Sequence, residues 1–243
     1  MPLSITNTNT VTITITTTTT NTTTPTPATM DRISCPSPRN WPVGAVYSFC
    51  RDRSIDVSTA VNTAWAITLW SYTGEEAIAF PSQTIKHDTQ TWSRCDSVID
   101  STSNFSTVLR TVQNSTKQLS TPPADIPATH QNTPLLNTVT VFTSNSSGCI
   151  APVGTAHSAG LVCNLSETTL DCSVRLFVPG VIDTRQAERL SSAFAHVMGL
   201  LLTGTDEETL ASMDLVSDHD KAQVCRDPLR ATGFAPVRND FIY

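Results

Sequence analysis

The hydrophobic positions of this chain fall into separated blocks, and the best organised runs from Asp56 to Phe80, DVSTAVNTAWAITLWSYTGEEAIAF. Val57, Val61, Ala64, Trp65, Leu69 and Tyr72 recur at the i, i+4, i+7, i+8 spacing of one helical face, and Ala60 and Ile67 widen it. The spacing predicts a helix with Asp56 as its N-cap, the carboxylate accepting from first-turn N–H groups, and Gly74 as its stop. Glu75 and Glu76 mark a solvated corner, and Ala77 to Phe80 read as a strand. Upstream, the Pro-stiffened segment Cys35 to Pro42 leads into Val43 to Cys50, a short helix or strand.

After Phe80 the pattern fades. Pro81 to Ser103 are polar and irregular, with isolated Ile85, Trp92, Val98 and Ile99, and a stretch of that length signals a missing element or a functional loop. Helical spacing returns with Phe105, Val108, Leu109, Val112 and Leu119, capped by Ser103 or Asn104 and stopped by Pro122-Pro123. Leu135 to Phe142 is rich in β-branched residues and reads as a central strand. Leu161 to Leu165 and Leu170 to Val178 read as two further strands joined by the SETT corner. In the second, Leu170, Cys172, Val174 and Leu176 face one way, and Asp171, Ser173 and Arg175 the other. Asp183-Thr-Arg-Gln186 has the form of a capping box, with the stripe Ala187, Leu190, Phe194, Val197, Met198 and Leu201 behind it. Ser217 and Asp220 repeat that spacing for a short last helix. The expected fold class is mixed α/β, helices packed on a mixed sheet.

Composition narrows this picture. Thr dominates the first thirty residues, so residues 1–40 are expected to form a disordered, low-complexity arm, and Met30 is a candidate true start. The foldable region is 41–228, and 229–243 is an irregular tail. A net charge of −6 gives no electrostatic footprint for nucleic acid or an anionic membrane. The first residues lack the basic and apolar regions of a secretory signal, and no run approaches the roughly 18 apolar residues of a membrane span. The seven cysteines are scattered without a C-x-x-C pair, which fits reduced thiols and a cytoplasmic location. Sequons at Asn21, Asn104, Asn114, Asn145 and Asn164 would matter only in a secreted chain.

Candidate chemistry is sparse. Ala156-His157-Ser158-Ala159-Gly160 has the small-x-Ser-x-Gly form of a nucleophile elbow, and Asp183 with His196 or His219 follows in a permitted order. An elbow needs a helix after its serine, whereas the residues after Ser158 read as strand and Asp183 reads as a cap. The favoured reading is a small-residue turn, with a serine hydrolase using Ser158 as the alternative. No histidine or cysteine spacing matches a metal site, and neither G-x-G-x-x-G nor a P-loop is present. No catalytic, cofactor-binding or metal residue is assigned.

Five segments, in order, resemble the C-terminal lobe of nonribosomal peptide synthetase condensation domains, particularly the fungal kind. They are STAVNTAWAITLWSYTGEEAIAF, TVLRTVQNSTKQL, LLNTVTVF, LDCSVRLFVPGVIDTRQAERLSSAFAHVMGLLL and MDLVSDHDKAQV, and the likeness covers residues 43 to 228. The resemblance implies a chloramphenicol-acetyltransferase-like fold of two lobes facing across a tunnel, to which two phosphopantetheinyl carrier domains bring thioester-bound substrates. It also implies amide-bond formation served by an HHxxxDG motif in the N-terminal lobe, whose second histidine positions or deprotonates the attacking amine.

The chain departs from that pattern. His87, His130, His157, His196 and His219 each stand alone, and none is followed by x-x-x-Asp-Gly. The Thr tract stands where the N-terminal lobe belongs. The family's insert with a Ser-Gly-Arg turn and a Pro-x-Arg strand is replaced by the irregular Pro81 to Ser103, and the tail resembles an interdomain linker. The expectation is a truncated, incomplete lobe tied to secondary-metabolite biosynthesis and inactive alone. Its partners would be carrier domains or a separate N-terminal lobe, and its exposed apolar surface would favour self-association.

Overall fold

The computed structural model describes residues 41–86, 89–119, 138–144, 159–176, 183–205 and 208–226. Seven strands form one mixed sheet: β1 (Trp41–Pro42), β2 (Ala77–Lys86), β3 (Thr89–Val98), β4 (Lys117–Leu119), β5 (Thr138–Ser144), β6 (Ala159–Leu165) and β7 (Thr169–Leu176). Their order across the sheet is β1-β7-β6-β5-β2-β3-β4, with β5 parallel to both β2 and β6 and the other pairs antiparallel. The described helices are α1 (Val43–Arg53), α2 (Val57–Thr73), α3 (Phe105–Ser115), α4 (Thr184–Thr203) and α5 (Asp218–Arg226), with a 3₁₀ turn at Leu210–Ser212. The mixed α/β class expected from the sequence is the observed one.

The alternation of each strand sorts the core. Ile78 and Phe80 of β2, Cys95 of β3, Phe142 of β5, Leu161 and Cys163 of β6, and Leu170, Cys172 and Val174 of β7 share one cluster with buried residues of α1 through α4. Val139, Val141 and Val162 point to the other face, where Ile85 and Trp92 pack against them.

α2 lies at the centre of the first cluster, and it differs from its predicted form. The sequence gives it one apolar face, yet every residue from Thr59 to Leu69 is buried. α2 packs on the sheet while α1, α3 and α4 press on its remaining sides. A helix so enclosed is apolar nearly all round, and threonines within it bond back to carbonyls one turn earlier. Thr63 Oγ1 donates to the Thr59 carbonyl at 2.8 Å and Thr68 Oγ1 to the Ala64 carbonyl at 2.7 Å. Gly74 ends the helix at φ 70, as predicted. Asp56 is extended at the cap position but its side chain makes no cap hydrogen bond, which corrects the predicted carboxylate cap. The Asp56 backbone carbonyl still accepts from Ala60 N at 3.2 Å.

The second correction is larger. Residues 81–86 and 89–98, read as irregular, complete a long antiparallel hairpin in which Ala77 pairs with Val98 and Lys86 with Thr89. Its polar side chains and Pro81 hid the strand. Ile99 N donates to Glu76 O at 2.8 Å, so 76/99 is a hydrogen-bonded pair, and alternation makes 81/94 a non-bonded one. The nitrogen of Pro81 therefore points away from β3, toward the side where the β2–β5 ladder begins only at Ser82. No ladder bond is lost, so proline is tolerated there. The described residues of β2 and β3 are therefore strand rather than irregular loop.

Other expectations fare better. Asn104 is the cap of α3, its Oδ1 accepting from Thr107 N at 2.9 Å. That helix ends at Ser115, and Leu119 belongs to β4 rather than to it. Val43 to Cys50 is helical. Asp183 and Gln186 form the full capping box, with Gln186 N on Asp183 Oδ1 at 2.7 Å and Asp183 N on Gln186 Oε1 at 3.0 Å. All six residues of the α4 stripe are buried. Residues 1–40, Pro122-Pro123, the start of the predicted strand at 135–137, and 229–243 lie outside the described residues.

Candidate functional site

Two polar groupings sit on the central strands, one on each face. On the helical face, Asn62 of α2 reaches the sheet: its Nδ2 donates to Ser82 Oγ at 3.2 Å, and its Oδ1 accepts from Thr140 Oγ1 at 2.8 Å. Trp65 Nε1 donates to Thr138 Oγ1 at 3.2 Å on the next strand position of the same face. All five side chains are buried, and each bond satisfies a group that would otherwise stand unmet in a low-dielectric interior. The grouping holds α2 in fixed register over β2 and β5. It contains no titratable group and so offers no acid or base.

The opposite face carries Gln83 beside Trp92, its cross-strand partner on β3, and Val141, its partner on β5. Gln83 is 3% exposed and its Nε2 donates to Gln90 Oε1 at 3.2 Å, while its Oε1 has no hydrogen-bond partner. Further along this face Thr143 Oγ1 bonds Asn164 Oδ1, and Arg94 pairs with Asp96 at 2.7 Å. These amide and hydroxyl groups supply directional donors and acceptors without proton-transfer chemistry, but Gln83, Val139, Val141 and Val162 are buried, so the patch is a second, smaller core rather than an open surface. Sequence reading missed Gln83 and Trp92 because both fell in the stretch taken as irregular. The alternation of Gln83, Ile85 and of Gln90, Trp92, Arg94 was the available signal.

The predicted chemistry is not assembled among the described residues. Ser158, His157, His87 and His130 lie outside them. The Asp183 carboxylate is engaged by its own helix, and His196 Nε2 lies 2.7 Å from the Asp214 carbonyl oxygen. His219 is half-buried in α5. No group of three or more His, Cys, Asp or Glu side chains able to hold a metal ion occurs among the described residues. No described helix is long and apolar enough to cross a membrane.

A third grouping closes the C-terminal end. Tyr72 Oη donates to Asp220 Oδ2 at 2.8 Å, Ser217 Oγ donates to the same oxygen at 2.8 Å, and Arg189 Nε lies 4.0 Å from Oδ1. Burial, with the Asp220 charge beside it, pushes the Tyr72 phenol far above its ordinary value, so it remains a hydrogen-bond donor. Asp214 and Lys221 pair on the surface nearby, holding the carboxyl below its ordinary range.

No protein-family model and no curated protein matches the sequence. Solved structures do match. The X-domain from teicoplanin biosynthesis aligns with a TM-score of 0.53 at 10% identity, over 70% of this chain and 46% of that chain. A holo four-domain nonribosomal peptide synthetase bound to AMP and glycine aligns with a TM-score of 0.51 at 8% identity, over 76% of this chain and 18% of that chain. The first condensation domain of the calcium-dependent antibiotic synthetase aligns with a TM-score of 0.49 at 10% identity, over 75% and 47%. The chain spans about half the length of the X-domain and condensation-domain chains it matches. At these identities the likeness is one of fold: over the aligned part, the chain shares the fold of the X-domain from teicoplanin biosynthesis and of a portion of the four-domain nonribosomal peptide synthetase.

Proposed function

We propose that this chain is a condensation-type lobe serving nonribosomal peptide or related secondary-metabolite biosynthesis in the cytoplasm, and that it binds rather than catalyses. The region 41–228 acts as one unit corresponding to the C-terminal lobe. It docks phosphopantetheinyl carrier domains or an N-terminal lobe supplied by a separate chain. The observation that carries this reading is the fold likeness to the X-domain over 46% of that chain, together with a sequence in which no histidine stands in an HHxxxDG setting. A lobe without that motif has no residue to position the attacking amine, so it forms no amide by itself. An X-domain of this fold has been solved in complex with OxyB, which supports a binding role.

Two measurements test the proposal. The purified chain, given two carrier-bound aminoacyl thioesters, forms no dipeptidyl product above the rate without protein, and steady product formation overturns the inactive reading. Immobilised chain retains holo carrier domains above the level held by a blank matrix, and equal retention removes the binding reading. The serine-hydrolase alternative has no support from Asp183 or His196, both engaged elsewhere, and a Ser158→Ala variant keeps whatever esterase background the parent shows.

A further inference from the structure

Cys163 of β6 and Cys172 of β7 are direct cross-strand partners, and both face the main core. Two separate hydrogen bonds fix which kind of antiparallel pair they form. Ser166 N donates to Thr169 O at 2.9 Å, so 166/169 is a hydrogen-bonded pair, and alternation along the ladder makes 164/171 bonded and 163/172 non-bonded. Independently, the Cys163 carbonyl accepts from Thr143 Oγ1 of β5 at 3.2 Å, so it points away from β7. Non-bonded pairs are the closer kind, with Cα atoms about 4.5 Å apart and side chains drawn together. That separation lies inside the range a disulfide spans, roughly 4.4 to 6.8 Å between Cα atoms. Both residues are thiols. Cys163 is 1% exposed and Cys172 8%, and beyond Leu170 no described strand covers the outer edge of β7. Cys172 is thus the member that solvent reaches first.

We propose that Cys163 and Cys172 are a dithiol oxidation site that closes to an intrachain disulfide on exchange with a small disulfide such as oxidised glutathione. The Cys172 thiolate attacks one glutathione sulfur, forming a mixed disulfide and releasing one glutathione thiolate, which takes up a proton. The Cys163 thiolate then attacks Cys172 Sγ and expels the second glutathione. Two protein thiols and one oxidised glutathione become one protein disulfide and two glutathiones. The closed bond ties β6 to β7 across the middle of their ladder. Cys50 and Cys95 have no such cross-strand partner among the described residues, and burial pushes their thiols up to about 11 and about 12, so they serve as internal standards that stay reduced.

The test uses the full folded chain, incubated with oxidised glutathione, alkylated and cleaved after glutamate. Cleavage after Glu167 separates the two cysteines, so only a disulfide keeps their peptides joined. The expected result is that linked pair as the main oxidised product, with a mass loss of two hydrogen atoms, while Cys50 and Cys95 are alkylated. The same treatment in denaturant gives a mixture of pairings. A Cys163→Ser variant arrests at a glutathione adduct on Cys172. Recovery of both cysteines as alkylated thiols after native oxidation overturns the proposal, as does pairing of Cys172 with any other cysteine. The parent chain alone decides the matter if the variant does not fold.

Discussion

Asn62 is the residue on which the centre of the molecule turns. It bonds Ser82 on β2 and Thr140 on β5 from within a helix buried on every side. Replacing it with alanine leaves two buried hydroxyls without their partner and opens a small void, so Asn62→Ala is expected to cost about 1–3 kcal/mol in urea unfolding. Asn62→Asp, which sets a charge in the same place, costs more. The buried thiols carry a second prediction. Desolvation raises Cys50 from 9.0 to about 11 and Cys95 from 9.0 to about 12, so the folded chain holds their protons more tightly than the unfolded chain does. Their contribution is complete below the ordinary value and is lost as pH rises through the raised ones. The urea midpoint should therefore fall between pH 9.0 and about 11, and fall less steeply in Cys50→Ala. Tyr72, displaced in the same direction, adds to the same trend.

Among the elements, the two helix starts that looked alike in sequence are physically different. Asp183 accepts from Gln186 N and is answered by the Gln186 side chain, whereas the Asp56 carboxylate bonds nothing at the start of α2. Asp183→Ala is expected to lower stability by about 1 kcal/mol and Asp56→Ala by a smaller amount, measured as paired shifts in unfolding midpoint. Capping-box spacing marked the first correctly, because both partners lie within four residues and close the loop locally. At Asp56 the identity of the residue was informative only about backbone: it is extended there, as caps are. The hairpin of β2 and β3 shows the opposite case. Half of its length is written in Ser, Gln, Thr and Arg, which carry no period-2 apolar signal, and its extended shape depends on pairing with β5 on one side and β4 on the other.

At the scale of the whole molecule, α5 is tied to the centre through a polar cluster. Tyr72, Ser217 and Asp220 join α2 to α5 across 148 residues of sequence between the tyrosine and the aspartate. Tyr72→Phe removes the bond to Asp220 while keeping the ring, so it is expected to cost about 1 kcal/mol and to raise amide exchange in α5 more than in α4. Equal protection of α5 in parent and variant would show that the helix is held by packing alone. The chain matches about half the length of the X-domain it resembles in fold, and the proposal that a second lobe completes it predicts co-elution with such a lobe in size-exclusion chromatography.

Local rules suffice wherever partners are near in sequence. Gly74, Asn104 and the Asp183 box lie within a few residues of what they contact, and an apolar stripe is a period along its own helix, so α2, α3, α4 and the strands rich in β-branched residues could be read directly from the chain. The class of fold followed, and the resemblance rested on the same segments. Strand order, the parallel pairing of β5 with β2 and β6, the burial of all sides of α2, and the polar hairpin were decided only by tertiary structure. Each depends on contacts between residues far apart in sequence, where a serine or glutamine becomes interior because of what lies opposite it. The buried patch around Gln83 and Trp92 and the facing thiols of Cys163 and Cys172 belong to that second class, since register across strands, which sets them side by side, is a property of the folded sheet.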